Sequence, residues 1–536
     1  MTQISSEILT LTKVFIAIFI IILLKGFYSF FIKPCRQLKL YSNVPGSGVS
    51  FKLSASKEIA NWSNASKSNF KLDPNEPFSS SKIHELCFKY SNLRLFATNF
   101  LNKIIVILAD PKIIGEYYKN SKYYRKQATR SFLRTLYTNQ GIAGPEGERW
   151  KHQRKIISEA FHFENIVKTL PIIEETIKEL LDKIEGSQGK EIEANIIDEF
   201  QKITGEIIGR TFFGQHLNDY KINGRPLTLE FADLIIKNEN LKVHYFYQMF
   251  GDIAVLFSPE LRKFKRQTIN FGEFCRQLLR DSIKKIERNE MEDANGRKGL
   301  LQILVEKNKT EKGLNQKELL ANFITNFLAG MDTTSHFAAM AVYFLSQYPE
   351  VKARVMDDIN SRWDGKNSIT LETLQKMDYV HATLEETLRM AGPASGTFLR
   401  VALQDHFLND IPVKRGTLIA PVWTPSMFNQ EIFKDPCVFR PERWIKGSPF
   451  YERPSDPYTF IPFSAGSRNC IGQHMAMMEA KLLLCHFLNR FEFRLIEGYK
   501  LEMVVRFVTE PKDPLKFILS EKKRKKNETL TNVYLG

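Results

Sequence analysis

Apolar and polar positions change period along this chain, and the changes divide it. From Leu9 to Ile32 the residues are apolar or uncharged apart from Lys13 and Lys25. About 20 apolar residues in a helix cross a bilayer core, and lysines near the ends reach the interface. The run therefore predicts a transmembrane helix. Its uninterrupted part, Val14 to Leu24, has the length of a signal-peptide core, but Glu7 precedes it, no base stands before Lys13, and no small-residue cleavage site comes after it. Lys25, Lys33, Arg36 and Lys39 come next and place the rest of the chain in the cytoplasm. "VPGSG", Val44 to Gly48, is turn-prone. The expected organisation is an anchor over 1–40, a hinge over 41–50, a folded body over 51–520 and a basic tail over 521–536. With the chain inside the cytoplasm, the sequons at Asn61 and Asn64 are chance matches.

Beyond the hinge a period of 3.6 dominates. "KIHELCFKYSNL", "IVKTLPIIEETIKELLDKIE", "FGEFCRQLLRDSIKKIERNE" and "LEETLRMAGP" read as amphipathic helices, the last stopped by Gly392 and Pro393. "KIIVILAD" and "GTLIAPVW" are short β-prone interruptions, so the expected fold class is mainly α with a smaller β-rich part. The longest helical pattern starts near Gln316 and reaches Pro349. At 1.5 Å per residue that is on the order of 45 Å, enough to cross a domain. Its second half is apolar on nearly every face, which predicts burial on all sides. Gly330, Asp332, Thr333 and Thr334 interrupt it. A buried acid needs partners and a threonine can bond back to the previous turn, so this stretch predicts a notch with an acid and an alcohol lining a pocket.

Composition narrows the class. With 536 residues, 43% of them hydrophobic, the chain can bury a large core. Cys35, Cys87, Cys275, Cys437, Cys470 and Cys485 are scattered without a C-x-x-C pair, which fits neither a disulfide framework nor a zinc site. The net charge of +16 is dispersed among acids except at "EKKRKK". That favours a solvated surface, with membrane or acidic-partner attraction next, and no nucleic acid is expected.

Three motifs carry chemistry. Glu386 and Arg389 share a helix face, and Arg443 in "VFRPERW" would close a buried network with them. Trp150 and Arg154 lie one turn apart and suit a carboxylate. In "FIPFSAGSRNCIG", Cys470 stands among Gly466, Arg468 and Gly472. Backbone donors and a cation lower a thiol's pKa, and the glycines allow tight backbone around a metal-bound sulfur. One thiolate without a second protein ligand suits iron in a haem, where the macrocycle supplies four positions.

"FSAGSRNCIG" matches F-x-x-G-x-R-x-C-x-G at Phe463, Gly466, Arg468, Cys470 and Gly472, and so resembles the haem-binding signature of the cytochrome P-450 family. "AGMDTT" at 329–334 resembles the family's oxygen-activation motif, Glu386 with Arg389 its E-x-x-R pair, "FRPERW" its F-x-P-E-R-F/W segment, and Trp150 with Arg154 its W-x-x-x-R. The matches fall in the family's order, and the anchor and hinge resemble its microsomal members.

The resemblance implies the family's fold, with the long helix over haem b (iron protoporphyrin IX) and Cys470 as axial ligand, its thiolate pushing electron density toward O–O cleavage. It implies that Trp150, Arg154 and Arg468 hold the haem propionates, with Arg400 in "FLRVALQD" a weaker match, and that Asp332 and Thr333 serve proton delivery. The implied reaction inserts one atom of dioxygen into a lipophilic substrate. "VPGSG" is a reduced form of the family's hinge. Ala329 stands where the fatty-acid ω-hydroxylase branch often has a haem-linked glutamate, so the haem is expected to be non-covalent. No G-x-G-x-x-G fingerprint comes after a strand; electrons are expected from NADPH-cytochrome P-450 reductase, with cytochrome b5 as a further candidate donor, at the endoplasmic reticulum membrane. The competing readings are a haem-thiolate isomerase or lyase using a peroxide without external electrons, and a non-catalytic haem sensor. The pocket is expected to draw on the loop after residue 120, on 244–257, on Phe327 and Leu328, on "ASGTFL" and on "VRFVTE", which are mostly apolar.

Overall fold

The computed structural model describes residues 18–21, 23–45, 47–50, 93–100, 103–127, 137–184, 191–222, 224–238, 247, 251–288, 299–310, 313–397, 399–505 and 508–522. The expected helix in "KIHELCFKYSNL", apart from Leu93, and most of the "HYFYQMF" stretch lie outside these residues. The helices that frame the site are α1 (Gly147–Ala160), α2 (Phe163–Ile184), α3 (Ile196–Phe213), α4 (Leu227–Asn238), α5 (Pro259–Glu287), α6 (Gln316–Gln347), α7 (Asp378–Ala391) and α8 (Gln473–Arg490).

Helix α6 begins with a capping box. The Asn315 side chain accepts from the N–H groups of Lys317 and Glu318, and Glu318 accepts from the Asn315 N–H, so donors that a helix start leaves unpaired are satisfied. The notch does not break the helix. Thr333 donates back to the Ala329 carbonyl at 2.5 Å while the helix runs on to Gln347. Gly330 has a packing reason: a Cβ there would come 2.6 Å from Ile208 Cδ1, so the glycine lets α3 cross close to α6. From Glu318 to Leu345 the helix is buried except for a stripe at Thr325, Ala329, Gly330 and Thr333. These positions repeat at three to four residues and so share one face.

Strands form a smaller second part. β1 (Ser47–Ser50), β2 (Leu95–Phe100), β3 (Lys103–Leu108), β4 (Tyr124–Lys126), β5 (Arg400–Ala402) and β6 (Leu418–Pro421) make one sheet in the order β1-β2-β3-β6-β5-β4. β3 and β6 pair in parallel, Ile105 opposite Leu418, and β5 and β6 antiparallel. The two β-prone runs of the sequence are thus the central pair. Leu38, Tyr41 and Val44 pack into the core under this sheet, so these residues are held to the body.

The expected transmembrane helix begins outside the described residues. Residues 18–21 and 23–27 are helical, and Ile18, Phe19, Ile20, Ile21, Leu23, Leu24, Phe27 and Tyr28 are all exposed, against the usual burial of apolar side chains. Among the described residues no helix is long and apolar enough to cross a membrane.

A buried ion cluster ties α2 to α8, the helix that comes directly after the cysteine loop. Glu174 is 2% exposed, pairs with Lys178 at 2.9 Å, faces His486 at 3.2 Å and accepts from the Ile369 N–H at 3.1 Å. Burial alone would raise its carboxyl, but these partners win and hold it down at about 2. A carboxyl depressed in the fold stabilises above its ordinary value of 4.5 and loses that contribution as pH falls through its folded value. Thermal unfolding followed from pH 5 to pH 2 is expected to show this loss, with a shallower dependence in Glu174→Gln; equal slopes would remove Glu174 as a source of acid sensitivity.

Candidate functional site

Helix α1 is fixed against the start of α6 by polar contacts. Arg149 Nε and Gln153 Nε2 each donate to Glu318 Oε1 at 3.0 Å, and the Ile142 N–H donates to Asn322 Oδ1 at 2.7 Å. Gly141 lies so close to the Ala321 backbone that a Cβ would stand 2.8 Å from it. This placement sets Trp150 and Arg154 beside the cysteine loop.

The loop itself is tightly made. Gly466 has φ +70°, in the left-handed region that favours glycine. The Cys470 N–H donates to the Phe463 carbonyl at 2.9 Å, closing the turn. Gly472 has an ordinary φ of −91°, and a Cβ there would meet only Phe161 at 3.8 Å, so its own backbone does not require glycine. Cys470 is accessible at its surface yet hemmed in by protein at longer range. Burial raises its thiol, with the Gly472 N–H and Arg154 only partly opposing. The sequence pointed to a thiol lowered by its surroundings. The protein alone keeps it a thiol, and a bound metal's charge is what makes a coordinating thiolate.

The arginines surround this loop in unequal ways. Arg154 forks onto Asn469, Nη1 to the carbonyl at 3.0 Å and Nη2 to Oδ1 at 2.8 Å, and so clamps the residue next to Cys470. Arg468 lies over the Trp150 ring, 4.1 Å from its centroid, and donates Nη2 to the Pro145 carbonyl at 3.0 Å. Its Nη1 is buried and has no hydrogen-bond partner among the described residues. Burial, then the Arg400 charge, lowers the Arg468 guanidinium to about 10. Arg400 and Arg468 share one acid, Glu146, at 3.7 and 4.0 Å. Among the described residues, three guanidinium groups against a single carboxylate leave cationic capacity for an anionic ligand. With an orphaned donor at Arg468 and a sulfur as the metal-binding atom, the residues fit haem and its carboxylates.

The third constellation is structural. Glu386 accepts from Arg389 through Nε and Nη2, both at 2.8 Å, from Arg443 Nε at 3.3 Å, from Trp444 Nε1 at 2.9 Å and from the Arg440 N–H at 3.0 Å. Arg389 and Arg443 also donate to the Met427 and Asp435 carbonyls. Burial pushes the Glu386 carboxyl up, but the two arginines and these bonds outweigh it and the net shift is downward. The network pins α7 to the loop before the cysteine segment.

On α6 the two notch residues part company. Thr333 lies on the partly open stripe, whereas Asp332 is buried and accepts from Gln201 Nε2 of α3 at 3.0 Å. Phe327 is fully buried and stacks on Phe231 of α4 at 5.0 Å, which stacks on Phe271 of α5 at 4.4 Å. Two residues along a helix turn a side chain by about 200°, away from the Thr325–Ala329–Thr333 face. Leu328 is likewise buried. Nothing in the local sequence pattern marks Glu146, Asn469 or Gln201.

A family model described as Cytochrome P450 matches residues 76–519. Cytochrome P450 734A1 of Arabidopsis thaliana is 28% identical over 408 residues, covering 73% of this chain and 74% of its own. Cytochrome P450 3A12 of Canis lupus familiaris is 26% identical, covering 71% of this chain and 78% of its own. Among solved structures, a cytochrome P450DA haem domain is 20% identical and superposes with a TM-score of 0.66, covering 82% of this chain and 92% of its own. A retinoic-acid-bound cyanobacterial CYP120A1 is 22% identical, with a TM-score of 0.66 and coverages of 80% and 92%.

Proposed function

The chain belongs to the cytochrome P450 family, and from that premise we propose that it is a membrane-anchored monooxygenase fed with electrons by NADPH-cytochrome P-450 reductase and acting on a lipophilic substrate. Its class, an oxidoreductase with haem as cofactor, comes with the family. Bound haem supplies the one-electron chemistry and the place where dioxygen is reduced. The rest falls to the chain. In this reading Cys470 is the metal ligand, Arg154 holds its loop through Asn469, and Arg468 on Trp150 offers Nη1 to a haem carboxylate, with Arg400 beside it. Thr333 would hold water on the partly open stripe, and the buried Asp332 would supply protons. Phe463 and Gly466 shape the loop, and the Gly472 N–H faces the Cys470 sulfur.

The observation that carries the reading is the stripe at Thr325, Ala329, Gly330 and Thr333, the partly open face of an α6 that is otherwise buried from Glu318 to Leu345. An alcohol on that face can hold water where an apolar wall cannot. The exposed apolar side chains from Ile18 to Tyr28 support the anchor and the endoplasmic reticulum location, and the net charge of +16 supports an acidic electron donor. An isomerase that needs no external electrons has little use for Asp332 and Thr333, so dependence on NADPH and reductase separates the two readings.

The test begins with a ligand screen for spin-state shifts, which identifies a substrate. With that substrate in lipid vesicles with reductase, NADPH consumption and product are expected to run together in the unaltered protein. Thr333→Ala is expected to keep NADPH consumption but lose product to peroxide, with coupling down by about tenfold or more, the low side of a general-acid contribution. Coupling equal to that of the unaltered protein would remove Thr333 from proton delivery.

A further inference from the structure

Asp332 is the inner member of a buried polar chain that reaches another part of the fold. His336, one turn on along α6, faces the Asp332 carboxylate with Nδ1 at 3.5 Å. On its other edge Nε2 lies 3.3 Å from Glu510 Oε2. Glu510 belongs to Thr509–Pro511, which pairs antiparallel with Met503–Val505, Glu510 opposite Val504. Gln201 closes the inner end on α3 through its bond to Asp332. Asp332, His336 and Glu510 are each no more than 5% exposed. Three ionisable groups buried together need a physical reason, because each alone would cost roughly several kcal/mol to desolvate.

The first reason to weigh is a metal ion, since one ligand atom from each residue falls within 4.8 Å of the others. The histidine ring argues against it. Nδ1 stands 2.7 Å from the Asp332 backbone carbonyl, and a carbonyl oxygen can only accept. Nδ1 therefore carries hydrogen, and its lone pair is not available to a cation. At the other edge a ring nitrogen faces a carboxylate oxygen, and two lone pairs would repel, so a proton lies between Nε2 and Glu510. The ring is held with a proton on each side, the arrangement of a relay.

We propose that Glu510 and His336 form a proton relay that recharges Asp332. A proton taken up from solvent by the Glu510 carboxylate passes to Nε2, the O–H bond at Oε2 breaking as an N–H bond forms. The Nδ1–H then swings from the Asp332 carbonyl to its carboxylate, across the 3.5 Å gap. One N–H bond breaks at Nδ1, one O–H bond forms at Asp332, and the ring ends neutral with its hydrogen on Nε2. Glu510 ends as the carboxylate, and no electron moves. The outer end lies near solvent: Val505, next along the paired strand, is 59% exposed, and Lys512 is exposed. His336 and Glu510 are positioning residues, acting on the reaction only through Asp332, and the inference rests on the reading of Asp332 as a proton source.

Asp332→Asn, His336→Gln and Glu510→Gln, each first checked for an unaltered ferrous carbon monoxide spectrum, are expected to lower product formed per NADPH by about tenfold, with peroxide rising and a larger solvent deuterium effect. Asp332→Asn with His336→Gln is expected to be no worse than Asp332→Asn alone, and Glu510→Asp to restore coupling. If Asp332→Asn uncouples while the other two do not, the relay is wrong and Asp332 keeps its role. If Asp332→Asn is also silent, both readings fall. Selective ¹⁵N-histidine NMR of the unaltered protein in the ferrous carbon monoxide form, without electron donor or substrate, is independent of turnover and of how the variants fold. The His336 Nδ1 resonance is expected at the position of a protonated nitrogen; an unprotonated Nδ1 overturns the relay.

Discussion

Glu386→Gln is expected to leave a chain that folds poorly and retains little haem. The charge left behind sets the size of the effect. Arg389 and Arg443 have side chains 0% exposed, and Glu386 is the carboxylate they share; Arg443 also pairs with Glu452, so the charge left behind is that of Arg389. Glutamine would bring two donors of its own into a site already lined with donors. Removing one partner of a buried ion pair costs about 3–5 kcal/mol, because the remaining charge stays desolvated. That is a large part of the roughly 5–15 kcal/mol by which a domain is stable. The neighbouring residue is the control. Glu385 pairs with Arg453, which is 45% exposed, and burial raises the Glu385 carboxyl, so a neutral amide is close to the state that burial already favours. Glu385→Gln is expected to cost about 1 kcal/mol or less. Thermal unfolding and haem content of the two variants decide the matter, and equal losses would contradict this role of the network.

Cys470→Ser is expected to abolish turnover while the fold survives. The sulfur is accessible at its surface, and the loop is held by contacts that do not involve it: the Cys470 N–H to Phe463, Arg154 to Asn469, and the left-handed turn at Gly466. Serine keeps the backbone and loses a ligand that a metal readily deprotonates. Activity is expected to fall to background with an unfolding temperature within a few degrees of the unaltered protein. A serine variant that turned over substrate at a comparable rate would mean that another atom binds the metal.

What the sequence could reveal divides along a physical line. Period and punctuation are local, so α6 appears where its apolar pattern lies, the two β-prone runs become the central strands, and Gly392 ends α7. Pairings that needed one helix face or one short segment were within reach, as with Glu386 and Arg389. Partners brought together only by folding were not. Arg154 and Asn469 are 315 positions apart, and Gln201 and Asp332 are 131 apart, with no spacing to announce either pair. Phe327 neighbours the notch in sequence, but helical geometry turns it into the aromatic stack. Counting donors and cations near Cys470 leaves out burial, the larger effect on its thiol.

The whole site stands or falls with Cys470 binding the iron of a haem through its sulfur. The difference spectrum of the reduced protein with and without carbon monoxide is the sharpest test, because a thiolate opposite carbon monoxide shifts the main haem absorption far to the red. That shifted band is expected in the unaltered protein and is expected to vanish in Cys470→Ser. A band at the shorter wavelength of histidine-ligated haem in a freshly prepared, folded sample, or a shifted band that survives Cys470→Ser, would contradict it.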